Sequence, residues 1–212
     1  YDFYLKGTSY LDRTSGHNIG FARDMFRKAV ERDPEFTRAW AGLAMAGFMR
    51  YLWVDDRDEV MAETDDASER AIALCADSAL AQLARGLALT LRKRLDEAAV
   101  HLERATQIEP GLYEAWYYYG RVAMQLGQTE RAIQLMKQAA TIRPTDYQSA
   151  MLLPQLYRDL DDEASEAAWS REGLERAHRH LELHPDDYRA MYLAAGALLA
   201  LDQEAEARTM MD

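Results

Sequence analysis

Cysteine, proline and asparagine are scarce in this sequence, and long apolar runs are missing. Cys75 is the one cysteine in 212 residues, so neither an intrachain disulfide nor a multi-thiolate zinc centre is possible. Its helical, apolar neighbours Ala71 and Leu74 predict a packed thiol rather than a reactive one. With 5 prolines and 11 glycines the chain is neither a linker nor low in complexity. No apolar stretch approaches the roughly 18–20 residues of a membrane span, so no membrane insertion is expected. Apolar and polar residues do not alternate over any sustained β-branched run, which predicts little or no sheet. Basic residues number 25 against 36 acidic ones, a net charge of −11. A duplex binder needs a basic face to displace counterions, so no nucleic acid partner is expected. The sequence opens on Tyr1 inside a helical pattern and shows no signal peptide. We therefore expect a fragment of a longer protein, with a cytoplasmic location favoured.

What is abundant favours helix: Ala, Leu, Glu, Arg, Gln and Met dominate. The strongest regularity lies in residues 79–146. Gly86 and Gly120, Ala98 and Ala132, Leu102 and Met136, Ala105 and Ala139, and Pro110 and Pro144 are each 34 residues apart. A fixed period of that size marks a repeat architecture, in which one unit cannot bury its apolar face alone and stacking completes the core.

The rest of the chain follows the same ruler. Residues 2–11 read as a helix, 13–20 as a loop, and 21–32 as a second helix closed by Pro34. Residues 37–54 form a long helix. The acidic break at 55–58 suits a helix start, where carboxylates complete orphan N–H groups, and the next helix runs to about Cys75. Ala76 takes the place of the closing proline, eight residues late. Residues 147–159 follow, capped by Thr145 or Asp146, with Pro154 predicting a bend. Residues 163–184 form an unusually long helix, and Pro185 arrives seven residues late. The repeats thus span approximately 1–36, 37–78, 79–112, 113–146, 147–187 and a truncated 188–212.

These units resemble the tetratricopeptide repeat family over essentially the whole chain. Trp40-Ala41-Gly42-Leu43-Ala44 and Trp116-Tyr117-Tyr118-Tyr119-Gly120 carry the front half of its signature. Ala132, Met136, Ala139 and Pro144 carry the back half. Arg85 and Lys6 in the Leu slot, Pro154 in the Gly slot and His180 in a small-residue slot depart from it. The resemblance implies an all-α, right-handed α-solenoid of antiparallel helix pairs, about five and a half repeats in a single domain. Residues 2–7 and 180–187 look like repeat segments that follow signalling domains in bacterial proteins, which implies a regulatory or interaction module attached to an effector. Small residues at Gly7, Ala44, Gly86, Gly120 and Ala195 are expected to let helices approach, with Trp40, Trp116, Phe26, Leu102 and Met136 filling the space between them.

The resemblance also implies that the first helix of each pair lines a concave groove for a protein or peptide. Its expected lining is Met45, Phe48, Met49, Leu83, Leu87 and Leu91, then Tyr117, Tyr118, Arg121, Met124 and Gln125, then Met151, Gln155, Arg158 and Tyr192. Such a groove is apolar and rich in Met and aromatic rings, with Arg121 and Arg158 placed to orient a carboxylate. The alternative is that the solenoid's own curvature fills this surface. A basic, asparagine-rich clamp for a C-terminal carboxylate is absent, Asn18 being the one asparagine.

Catalysis is not expected, nor is a cofactor or metal. His180 and His184 have the spacing of a zinc pair, but a third ligand is not evident, and histidines at a helix end complement its carbonyls. The run Asp55, Asp56, Asp58 and Glu59 lacks the glycine and spaced glutamate of a calcium loop. No glycine-rich phosphate loop or activated nucleophile is present. Two further readings stay open: self-association as a homodimer through Tyr51, Leu52, Trp53, Met210 and Met211, and small-ligand sensing by a change of curvature.

Overall fold

Helix formers fill each stretch between turn residues, and the computed structural model, which describes residues 1–11 and 16–211, is helical throughout. Among the described residues there are twelve α-helices and no strand. They are α1 (Asp2–Leu11), α2 (Gly16–Arg32), α3 (Thr37–Trp53), α4 (Asp58–Leu74), α5 (Ala79–Leu91) and α6 (Leu95–Ile108). Then come α7 (Tyr113–Gln125), α8 (Thr129–Ile142), α9 (Gln148–Arg158), α10 (Glu163–Leu183), α11 (Tyr188–Ala200) and α12 (Glu204–Met211). The fold is an all-α helical-repeat solenoid.

The loop expected over residues 13–20 is corrected in its second half. Gly16 to Gly20 open α2, because Ile19 joins Ala22, Phe26 and Ala29 on the buried stripe. The remainder of that loop lies outside the described residues. The acidic break before α4 is also corrected. Arg57 holds the cap position and no side chain caps the helix, while Asp55 accepts from Arg50 Nη2 and from Arg57 Nε and Nη2 at 2.7 Å. Asp146, by contrast, does cap: its Oδ2 accepts from the amides of Gln148 at 2.9 Å and Ser149 at 3.3 Å. Cys75 is exposed rather than packed, since α4 stops at Leu74 and the backbone of Cys75 is already extended.

Packing divides the chain into two compact units, Tyr1–Tyr118 and Tyr119–Asp212, with the division inside α7. In the first unit the Phe26 ring lies between two glycines. A Cβ at Gly7 would come within 2.7 Å of it and one at Gly42 within 2.5 Å. Gly86 stands against Leu102 in the same way, at 2.6 Å from Cγ. Arg85, a departure from the repeat signature, is answered by its surroundings. It donates to Asp65 Oδ1 at 2.5 Å and Ser68 Oγ at 3.2 Å, and pairs with Glu69 at 3.1 Å. In the second unit Gly120 faces Met136, and the buried guanidinium of Arg176 donates to the carbonyls of Ala140 and Asp146 at 3.1 and 3.3 Å.

Two details repeat with the period. The indoles of Trp40 and Trp116 each donate to the carbonyl of the preceding turn proline, Pro34 and Pro110, at 2.9 Å. Lys93, Gly127, Asp161 and Asp202 share a left-handed conformation with φ of 59°, 69°, 55° and 59°. Each closes a first helix in a Schellman turn, the next residue's amide reaching back to Leu89, Ala123, Tyr157 and Leu198 at 2.9–3.0 Å.

Candidate interaction surface

In the first unit the expected groove is carried by α3, α5 and the start of α7. Met45, Phe48 and Met49 share one face of α3, because positions three and four apart are neighbours on a helix. Met45 and Met49 are half-buried, and so is Tyr118. Phe48, Leu83, Leu87, Leu91 and Tyr117 are buried. These five are core side chains, not open groove, and the cause is local geometry. Phe48 of α3 meets Tyr118 of α7 edge to face, 5.2 Å between ring centroids, although these first helices are two repeats apart. The ladder continues through Tyr117 at 5.1 Å from Tyr118 and Tyr113 stacked at 5.7 Å from Tyr117. Aromatic side chains thus fill much of the face that a peptide would otherwise occupy, and Met45, Met49 and Tyr118 remain at its surface.

In the second unit Met124 is half-buried, and Gln125 and Gln155 are exposed. Met151 is buried, its sulfur against Gly173 of α10, where an added Cβ would stand 2.9 Å away. Arg121 is half-buried and is not unpaired. Arg158 is exposed but committed: its Nε and Nη2 donate to Glu166 Oε1 at 2.9 and 2.6 Å, across the turn between α9 and α10. A ligand carboxylate at Arg158 would compete with Glu166 for the guanidinium. Tyr192 is exposed.

Electrostatics here serve the fold. Asp187 precedes α11, accepts the Ala190 amide at 3.1 Å, and receives Tyr147 Oη at 3.1 Å and His180 Nε2 at 2.8 Å. Burial opposes its carboxylate, but the Ala190 amide, His180 and Tyr147 together outweigh burial and hold its pKa below the usual value. Burial first, and then the neighbouring Asp187 carboxylate, push the Tyr147 hydroxyl upward. Asp55 is held well below the carboxylate range by its hydrogen bonds from Arg57 and then Arg50. His180 is thus a partner of Asp187, and no group of three or more metal-ligating side chains occurs among the described residues. No helix among the described residues is long and apolar enough to cross a membrane.

A tetratricopeptide repeat model matches residues 89–156. That match covers about a third of the chain. Solved structures extend the likeness of fold beyond that segment. TTC0263, a tetratricopeptide repeat protein of Thermus thermophilus, aligns with a TM-score of 0.70 at 18% identity, over 93% of this chain and 98% of its own. PilF of Pseudomonas aeruginosa aligns with a TM-score of 0.69 at 19% identity, over 99% of this chain and 87% of its own. A monomeric mutant of IFIT1, solved with Gppp-AAAA, aligns with a TM-score of 0.75 at 16% identity, over 98% of this chain but 48% of its own. No curated protein matches the sequence.

One exposed residue escaped the sequence reading. Tyr188 occupies the place after its turn proline that Tyr113 and Tyr147 occupy after theirs, yet it is exposed where they are buried. The signal was the third tyrosine in register.

Proposed function

We propose that this tetratricopeptide chain is the non-catalytic interaction module of a larger, bacterial regulatory protein. It captures an apolar peptide segment on the surface formed by Met45, Met49 and Tyr118. The observation that carries the reading is the half-burial of two adjacent methionines beside the Phe48–Tyr118 ring contact. Methionine adapts its shape to varied partners, and a fixed aromatic edge beside it supplies an anchor. Arg158 pairs with Glu166, so a ligand carboxylate there would have to displace it. The ligand of the IFIT1 structure is a poor guide here, because a net charge of −11 opposes an anionic partner. Panning a displayed peptide library against the chain tests the reading. Selected binders should be apolar-rich, and capture should fall at least tenfold in Met49→Glu with Tyr118→Ala. Val100→Glu, at an exposed site on α6, should leave capture intact. Equal loss in both variants, or in neither, refutes the surface.

A second reading, homodimerisation, draws on one observation. Leu52, Trp53 and Val54 are consecutive and exposed at the end of α3. Sedimentation over a dilution series decides it, with Leu52→Glu expected to give monomers if this patch joins two copies.

A further inference from the structure

Helix α3 is one turn longer than the first helix that follows it. It has 17 residues where α5 has 13, and both start in the same register, Ala39 matching Ala81. Residues 50–53 therefore continue past the level at which α5 stops. The extra turn comes from the insertion in the second repeat, with one repeat before it and others after it. Met45, Met49 and Leu52 fall within about 60° of one another around the axis of α3. The two methionines are half-buried, and Leu52 is 42% exposed. Trp53 beside it is 46% exposed. The surface proposed above thus does not end beside Tyr118 but runs on along α3 for another turn.

Charge at that end has one sign. Arg50 and Arg57 both bond to the single carboxylate of Asp55, each at 2.7 Å. Asp56, Asp58 and Glu59 are exposed and lie outside the ion pairs among the described residues. Two arginines stand against four carboxylates over residues 50–59, which leaves a net charge of −2. The C-terminal end of the α3 dipole adds to the same sign. The inner turn of the next repeat is basic, but its Arg92 and Arg94 are engaged with Asp65 and Glu97. Two copies of the chain joined tip to tip would set these carboxylates against each other, a juxtaposition that suppresses association.

We infer that the stripe of Met45, Met49 and Leu52 seats a partner's peptide segment that is apolar along its length and carries lysines or arginines at one end, with the basic end against Asp56, Asp58 and Glu59. Apolar contacts hold the segment, and the carboxylates select its basic end and fix its direction along α3. The inference rests on the surface reading above and adds the charge and orientation of what binds there.

Three fluorescein-labelled peptides serve as probes, each with the sequence Leu-Ser-Leu-Ser-Leu followed by Lys-Lys, Ser-Ser or Glu-Glu. Anisotropy titrations with the whole chain at low salt should show the Lys-Lys peptide binding about threefold or more tighter than the Ser-Ser peptide, and the Glu-Glu peptide weakest. The preference should shrink as salt rises. Asp56→Asn with Asp58→Asn should abolish the preference and leave the Ser-Ser peptide bound as before. Glu182→Gln with Asp186→Asn changes the net charge equally at exposed sites elsewhere and should leave the preference intact, which separates local selection from the charge of the whole chain. Leu52→Glu should weaken the Ser-Ser peptide about threefold or more, with an unchanged circular dichroism melt because the side chain is exposed. Equal binding of the three peptides, equal loss of preference in both amide variants, or indifference to Leu52→Glu overturns the inference and leaves the surface reading standing. Failure of all three peptides to bind overturns both. A chain that dimerises in sedimentation and becomes monomeric with Leu52→Glu overturns the inference as well, because a second copy would then own this end of the stripe.

Discussion

Phe48 and Tyr118 touch edge to face at 5.2 Å, and through them the first helices of the second and fourth repeats meet. A repeat array in which each unit met only its neighbours would lack this contact. Phe48 is buried, so Phe48→Ala should destabilise by about 3–5 kcal/mol. A double-mutant cycle with Tyr118→Leu, read from urea melts, should return a coupling of about 0.5–1.5 kcal/mol. Additivity within about 0.3 kcal/mol would make the two rings independent neighbours.

Gly86 and Gly120 hold the same place in consecutive repeats but should respond differently to alanine. At Gly86 the new Cβ meets Leu102 Cγ at 2.6 Å and the Ala98 carbonyl at 3.3 Å, neither of which can swing aside. At Gly120 it meets the Met136 terminal methyl at 2.8 Å, the free end of a flexible side chain. Alanine gains roughly 1 kcal/mol of helix propensity at either site, while overpacking costs about 1–3 kcal/mol. Thermal melts should therefore show Gly86→Ala destabilised and Gly120→Ala near neutral. The opposite order would mean that the Leu102 side yields more easily than its geometry implies.

Lys93 sits at φ 59°, where a side chain crowds the following carbonyl. Lys93→Gly should raise stability by about 0.5–1 kcal/mol, the relief being partly offset by glycine's freer unfolded state. Gly127, in the same turn one repeat on, gives the reciprocal test: Gly127→Ala should cost about 1 kcal/mol. Chemical denaturation of both variants checks the pair.

Asp187 links stability to pH. Its folded pKa lies below the ordinary 3.8, so its contribution is present above that value and is lost as pH falls through the folded value. Asp187→Ala should cost about 1–2 kcal/mol at neutral pH through loss of the α11 cap and the His180 and Tyr147 bonds. The gap between parent and variant should close in acid. A constant gap from pH 7 to 3 would show that the carboxylate charge adds nothing.

Much of the fold was legible in the order of residues alone. Gly86 pairs with Leu102 and Gly120 with Met136 as their common spacing predicts, and Pro110 and Pro144 close their repeats. Helix ends were harder. Ile19 carried α2 back into a stretch rich in turn formers, and Asp55 chose two guanidiniums over the amides of α4. Both outcomes depend on partners that sequence spacing does not reveal.

The candidate surface was legible only as a set of positions. Period, small-to-large complementarity and turn chemistry are local, acting within one helix pair, and so residue order is enough to specify the repeat, its register and its helical class. Which side of a first helix stays open is decided by residues far apart in the chain. Whether Leu87 is groove or core depends on how closely neighbouring first helices pack, and Phe48 reaching Tyr118 shows them close. Whether Arg158 is a free cation depends on Glu166 beyond the next turn, and whether a tyrosine after a turn proline is core or surface depends on a covering helix. The packed fold settles these points, because burial and ion pairing belong to surfaces that form when helices meet.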